Sequence, residues 1–198
     1  LRTGLDQGLA ELGLPLSEAQ TQQLLDYLDL IQKWTKVYNL TAVRDPQEML
    51  THHLLDSLAV IAPLRQQLAA MRAGQGDGSV KPVRLLDVGS GAGLPGIVIA
   101  ICCPDITVHC VDTVGKKAAF IQQVAVTLKL PNLRGVHARV ESFDFSAHAT
   151  REQLAARWLD LTRRVLPGRA RAAATARWAS TWAARRASSS PPQRRTIA

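Results

Sequence analysis

Residues 87–96 read Asp-Val-Gly-Ser-Gly-Ala-Gly-Leu-Pro-Gly, four glycines in ten positions lying directly between two apolar runs. Glycines there permit a tight turn and a close approach of backbone to ligand, and the free N–H groups at the start of a following helix suit an anionic group. The loop therefore demands a strand before it and a helix after it. Val83–Val88 and Ile106–Val111 read as strands buried on both faces, and Arg134–Val140 as a third. Between them lie a short apolar helix from Pro95 and a longer one from about Gly115 to Leu130, ended by Pro131-Asn132. Strand, helix, strand, helix, strand is the order of a parallel, doubly wound α/β sheet.

Two acids tune what such a loop would bind. Gly91-Ala-Gly93-Leu-Pro-Gly96 satisfies the dinucleotide pattern GxGxxG, which alone is a weak signal. Asp112 ends the second strand, about 20 residues after the glycines, where a ribose diol is held. It fits a nicotinamide dinucleotide and S-adenosylmethionine equally. Asp87 sits inside the motif, where it can orient the turn or meet a cationic ligand. Its presence favours S-adenosylmethionine, whose amino group is positive and whose carboxylate can lie at the helix N-terminus. A nicotinamide-dependent oxidoreductase remains the alternative from the loop alone.

The chain before the loop is helical to about Leu68. Ser17 with Gln20 forms a capping box, and Leu24, Leu25, Leu28, Ile31 and Trp34 repeat at three and four residues, one apolar face for packing on the same domain. Asp45-Pro46 with Glu48 gives a second helix start, and Met49, Leu50, Leu54, Leu58 and Ile61 its buried side. Residues 1–71 thus form an N-terminal helical region, 72–82 a linker rich in glycine, and 83–145 the cofactor-binding half. No run approaches the roughly 18 apolar residues of a membrane span. The start lacks the basic-then-apolar pattern of a signal peptide. Cys102, Cys103 and Cys110 lack CxxC spacing and read as small buried hydrophobes in a reducing cytoplasm.

Other polar groups read mostly as structure. His52 and His53 diverge on a helix and lack a third ligand, so a hydrogen bond from His53 to the Asn39 turn or the sheet is favoured over metal, with Asp56 a further partner. Arg44 either precedes the cap at Asp45 or touches phosphate. Lys116 and Lys117 open a helix, as solvated charge or as RNA contacts.

Five segments together carry a resemblance. Asn39-Leu-Thr-Ala-Val-Arg-Asp-Pro46, His53-Leu-Leu-Asp-Ser57, Leu86–Gly96, Asp112-Thr-Val-Gly-Lys-Lys117 followed by Phe120, and Arg139-Val-Glu141 are similar to successive signatures of the bacterial glucose-inhibited division protein B family, guanine-N7 methyltransferases of 16S ribosomal RNA. The similarity runs from near residue 10 to about 145. It implies a Rossmann-like class I methyltransferase sheet with an N-terminal helical extension, and S-adenosyl-L-methionine as cofactor. Gly89 and Leu94 would line the methionine end with Asp87, Gly91 and Gly93 beside them, Asp112 would hold the ribose, and Val140-Glu141 would flank the adenine. Arg44, His53 and Lys116 are the candidate substrate-side residues, with the segment of His53 placed by the resemblance near the cofactor cleft. The implied partner is 16S rRNA or the small subunit, modified at a guanine of the 530 loop by a cytoplasmic monomer. Guanine N7 carries no proton, so no proton-transfer residue is expected.

Charge marks where the resemblance stops. Residues 1–150 hold 13 Lys/Arg against 14 Asp/Glu, whereas residues 151–198 hold 11 Arg against Glu152 and Asp160, so the whole +8 is a property of the tail. Twelve alanines join those arginines, leaving no material for further strands. The strands that would complete the sheet are expected to be missing or disrupted, and 146–198 reads as an aberrant tail with the composition of a frame-shifted sequence, which would leave an RNA-binding remnant if activity is lost.

Overall fold

The computed structural model describes residues 1–73 and 83–140. Glu141, most of the stretch read as linker, and the Arg/Ala-rich tail lie outside the described residues.

Helix α1 spans Arg2–Glu11 and buries Leu5, Gly8 and Leu9. Helix α2 spans Glu18–Tyr38 and begins with the capping box read from the sequence: Ser17 Oγ accepts from Gln20 N while Gln20 Oε1 accepts from Ser17 N at 3.0 Å. It ends on Asn39 in the left-handed region, a residue type that tolerates positive φ. Helix α3 (Pro46–Met49) starts as expected, with Asp45 Oδ1 accepting from Gln47 N and Glu48 N, both at 2.9 Å. A π turn follows at Leu50–Leu55, closed by Asp56 N donating to Thr51 O, then α4 (Asp56–Leu58) and α5 (Ile61–Ala73). Met49, Leu50, Leu54, Leu58 and Ile61 are all buried, as their pattern requires. Helix α5 runs two residues into the stretch read as linker.

The sheet is formed by β1 (Val83–Val88), β2 (Ile106–Asp112) and β3 (Leu133–His137), parallel and in the order β1-β2-β3. Helices α6 (Gly96–Cys102) and α7 (Gly115–Thr127) make the crossovers. Both cover the same face. Asp87, Cys110 and Gly135 are register partners in one row. A Cβ at Gly96 in α6 would strike Asp87 Oδ2 and Cys110 Sγ, and one at Gly135 would meet Ala118 O of α7 at 2.6 Å.

Two strand expectations are corrected. β1 is not buried on both faces: every residue is at least partly exposed, and Val88 is 48% exposed. Among the described residues it has one strand neighbour, and the face away from α6 carries charge. Arg84, His109 and Arg134 alternate with the buried positions, and partial burial, aided by the two arginines, holds the His109 imidazole below its usual range. β3 ends at His137 rather than Val140, because the last ladder contact is Ala138 N donating to Asp112 O at 3.2 Å.

Helix α2 ties the helical region to this unit by running antiparallel to α7. Gln23 Nε2 donates to Leu128 O at 2.9 Å near the end of α7, the Trp34 ring meets Phe120 edge-on at 5.4 Å, and Lys116 Nζ lies 5.3 Å over the Tyr38 ring at its start. Tyr27 and Phe120 are fully buried and stack at 6.5 Å. Each such side chain contributes about 2 kcal/mol of burial. Cys102, Cys103 and Cys110 are free and buried, and burial pushes the Cys102 thiol up to about 12. Among the described residues no helix is long and apolar enough to cross a membrane, and no cluster of His, Cys, Asp and Glu could hold a metal ion.

Candidate functional site

At the carboxyl end of β1 the chain turns through Gly89 (φ 73°) and Gly91 (φ 60°) before entering α6. Gly89 N donates to Val111 O at 2.7 Å, so the loop is sewn to the next strand as it begins. Gly93 N and Leu94 N both donate to Ser90 O, at 2.8 and 3.1 Å, which folds the loop back on itself. Leu94 packs partly buried against the core. Tyr27 Oη donates to Ala92 O at 2.7 Å in a buried bond, fixing the loop from the α2 side.

The glycines divide by what surrounds them. Among the described residues a Cβ at Gly89 would meet nothing within 4 Å, and one at Gly91 only Gly89 O at 4.0 Å. Those two positions border open space. Gly96 has the opposite surroundings, with Asp87 and Cys110 pressed against it.

Both acids lie at this loop, with different duties. Asp112 is 6% exposed; its Oδ2 accepts from Gly91 N at 3.0 Å and its Oδ1 from Val114 N at 2.8 Å, with Lys117 Nζ 3.9 Å away. A carboxylate has about four acceptor sites, so each oxygen keeps a lone pair for a hydroxyl. Asp112 thus faces the space beside Gly89 and Gly91 while bracing its walls. Asp87 turns inward instead: Oδ2 accepts from Gly96 N at 3.1 Å, and Cys110 Sγ is 3.9 Å away. Of the two uses read for Asp87, orienting the turn is the one its bonds serve. Burial pushes its carboxyl up to about 7 despite the Gly96 hydrogen bond, and Asp112 adds to the rise.

The substrate-side candidates gather around the end of α2. Arg44 donates through Nη1 to Thr35 O at 3.2 Å and through Nη2 to Asn39 Oδ1 at 2.6 Å. His53 Nε2 lies 2.9 Å from Thr41 Oγ1, the link to the Asn39 turn read as the favoured alternative, in place of a pairing with Asp56. Lys116 rests over Tyr38. None of the three is hydrogen-bonded to the glycine loop, whereas Asp112, Gly91 and Lys117 are joined directly. Val140 is half-buried at the end of the described segment, and Glu141 lies beyond it.

Three residues at the site were not singled out in the sequence. Tyr27 falls in the apolar stripe three residues after Leu24, a spacing that could have found it. Lys117 was seen only as half of a charged pair. Ser90 is 3% exposed and its Oγ has no hydrogen-bond partner among the described residues, which nothing in the sequence forecasts.

Residues 20–159 match the family model described as rRNA small subunit methyltransferase G. The chain belongs to that family. Over 142 residues it is 71% identical to the ribosomal RNA small subunit methyltransferase G of Albidiferax ferrireducens, covering 72% of this chain and 63% of that protein. With the protein of the same name from Acidovorax ebreus the identity is 68% over 142 residues, covering 72% and 62%. For Polaromonas sp. it is 67% over 138 residues, covering 70% and 58%. The chain therefore spans less than two thirds of the length of these curated relatives. In this chain the glycine loop and Asp112 stand at the carboxyl ends of adjacent strands, the edge at which open α/β sheets bind ligands.

Proposed function

We propose that the chain binds S-adenosyl-L-methionine in the space bordered by Gly89, Gly91 and Asp112 and belongs to an enzyme that methylates guanine N7 in the 530 loop of 16S ribosomal RNA. The observation that carries the reading is the pairing of an open glycine cradle with a braced, buried carboxylate in a chain of the rRNA small subunit methyltransferase G family. The residues fit the group: Asp112 offers acceptors to a ribose diol, the bare backbone of Gly89 and Gly91 admits the body of the ligand, and Asp87 holds the loop from behind through Gly96. Val140 and Glu141 are assigned to the adenine. Arg44, His53 and Lys116 are assigned to the rRNA side.

When bound, the cofactor supplies an electrophilic sulfonium methyl. Guanine N7 presents a lone pair without a proton, so this chain needs no general base. Its residues bind, orient and exclude water, and alignment of two reactants accounts for most of the acceleration such a reaction needs. The setting inferred with this chemistry is a cytoplasmic monomer acting on 16S rRNA or the assembled small subunit.

Transfer of labelled methyl groups to 16S rRNA or 30S particles lacking the modification tests the reading. Stoichiometric, guanine-specific incorporation is the expected result. Cofactor binding without transfer to either substrate would make the chain a remnant that binds and does not catalyse.

A further inference from the structure

The last turn of α2 lies beside the start of α7, the helix that follows Asp112. Helix α2 runs antiparallel to α7, and α7 begins just after Asp112, so the end of α2 stands level with the loop that carries that carboxylate. There the surface changes character. Val37 is 70% exposed and Tyr38 43% exposed, adjacent large apolar groups in a chain whose other α2 residues of that kind are buried or half-buried. Cations surround them. Lys33 lies one turn before Val37 on the same helix face, Lys116 reaches over the Tyr38 ring from α7, and Arg44 is pinned on the other side to Thr35 and Asn39. No carboxylate is paired with Lys33, Arg44 or Lys116 among the described contacts, so their charge is available to a ligand.

Exposed aromatic surface interleaved with unpaired cations suits a nucleic acid strand with unstacked bases, since rings accept base faces while lysine and arginine take phosphates. A protein partner would gain from Val37 and Tyr38 but would have to bury the cations. We propose that this rim, Lys33, Val37, Tyr38, Arg44 and Lys116, is where single-stranded or looped RNA crosses on its way to the cofactor, with a base against Tyr38 and its flanking phosphates on the three cations. Lys116 then has two partners: the Tyr38 ring in the free protein, and phosphate once a base takes its place on the ring. The inference rests on the RNA-methyltransferase reading and adds to it the path of the strand.

The test places the photoreactive residue p-benzoylphenylalanine at position 38 of the full chain, and separately at position 22, an exposed site toward the other end of α2. Each protein is irradiated with unmodified 16S rRNA. Cross-linking at 38 exceeding that at 22 by about tenfold or more is the expected result. Lys33→Glu with Lys116→Glu should then reduce the yield at 38 several-fold with affinity for S-adenosylmethionine unchanged. Equal yields at 38 and 22 would overturn the rim, whether or not the charge-reversed protein folds. Methyl transfer without cross-linking at 38 would overturn the rim and leave the methyltransferase reading standing. Cross-linking at 38 by a chain that binds no S-adenosylmethionine would do the reverse.

Discussion

Gly89 and Gly96 stand seven residues apart in one loop and are glycine for opposite reasons. At Gly89 a side chain would enter open space, with a backbone at φ 73° that L-residues rarely adopt. At Gly96 the side chain would enter the core, against Asp87 and Cys110. One end of the loop is kept bare for a ligand and the other for packing. The contrast teaches that a glycine-rich motif is two constraints laid end to end, and that stability and affinity should separate along it.

The largest effect should fall at the packed end. Gly96→Ala forces its Cβ onto the Asp87 carboxyl, at 2.7 Å from Oδ2, and overpacking of this kind costs about 3 kcal/mol. Urea unfolding measures it, and an unchanged midpoint would break the comparison. Asp87 sharpens the same end through pH. Its folded-state pKa of about 7 lies above the ordinary carboxyl value of 3.8, so its contribution to stability is complete below pH 4 and is lost as pH rises through 7. Between pH 5 and 8 the loss is roughly 2.5 kcal/mol at most, from the linkage of protonation to folding. Asp87→Asn, which can still accept from Gly96 N, should flatten that slope in thermal melts taken across the range. At the open end, Gly89→Ala should cost only about 1 kcal/mol of stability for its left-handed backbone. Affinity for the cofactor should fall by about tenfold or more, because the methyl group occupies ligand space. A titration showing full affinity would place the ligand elsewhere.

Much of the loop's frame was legible because its signals are local. Apolar runs before and after four glycines define β1, α6 and β2, and the caps at Ser17 and Asp45 rest on contacts within three residues. What escaped depends on partners far along the chain. Asp87 could be read as meeting a cationic ligand or orienting the turn, and only the approach of Gly96 and Cys110 shows it turned inward. The π turn at Leu50–Leu55 depends on a shift in backbone hydrogen-bond register, seen where Asp56 N donates to Thr51 O, that no residue pattern specifies. Burial of β1 on both faces was the weaker inference, since Arg84 and the alternating Thr107, His109 and Arg134 already marked a polar face. The rim at Tyr38 was invisible because it needs α2 and α7 side by side; Val37-Tyr38 alone looks like the end of an amphipathic helix.

Equilibrium binding of radiolabelled S-adenosylmethionine to the full chain, with Asp112→Ala in parallel, tests the central assignment most directly. One saturable site is predicted, displaced by S-adenosylhomocysteine and not by NAD. In the variant, affinity should fall about 30-fold, near the 2 kcal/mol expected when the charged acceptor of the ribose hydroxyls is removed. Displacement by NAD, or equal binding by Asp112→Ala, would contradict it.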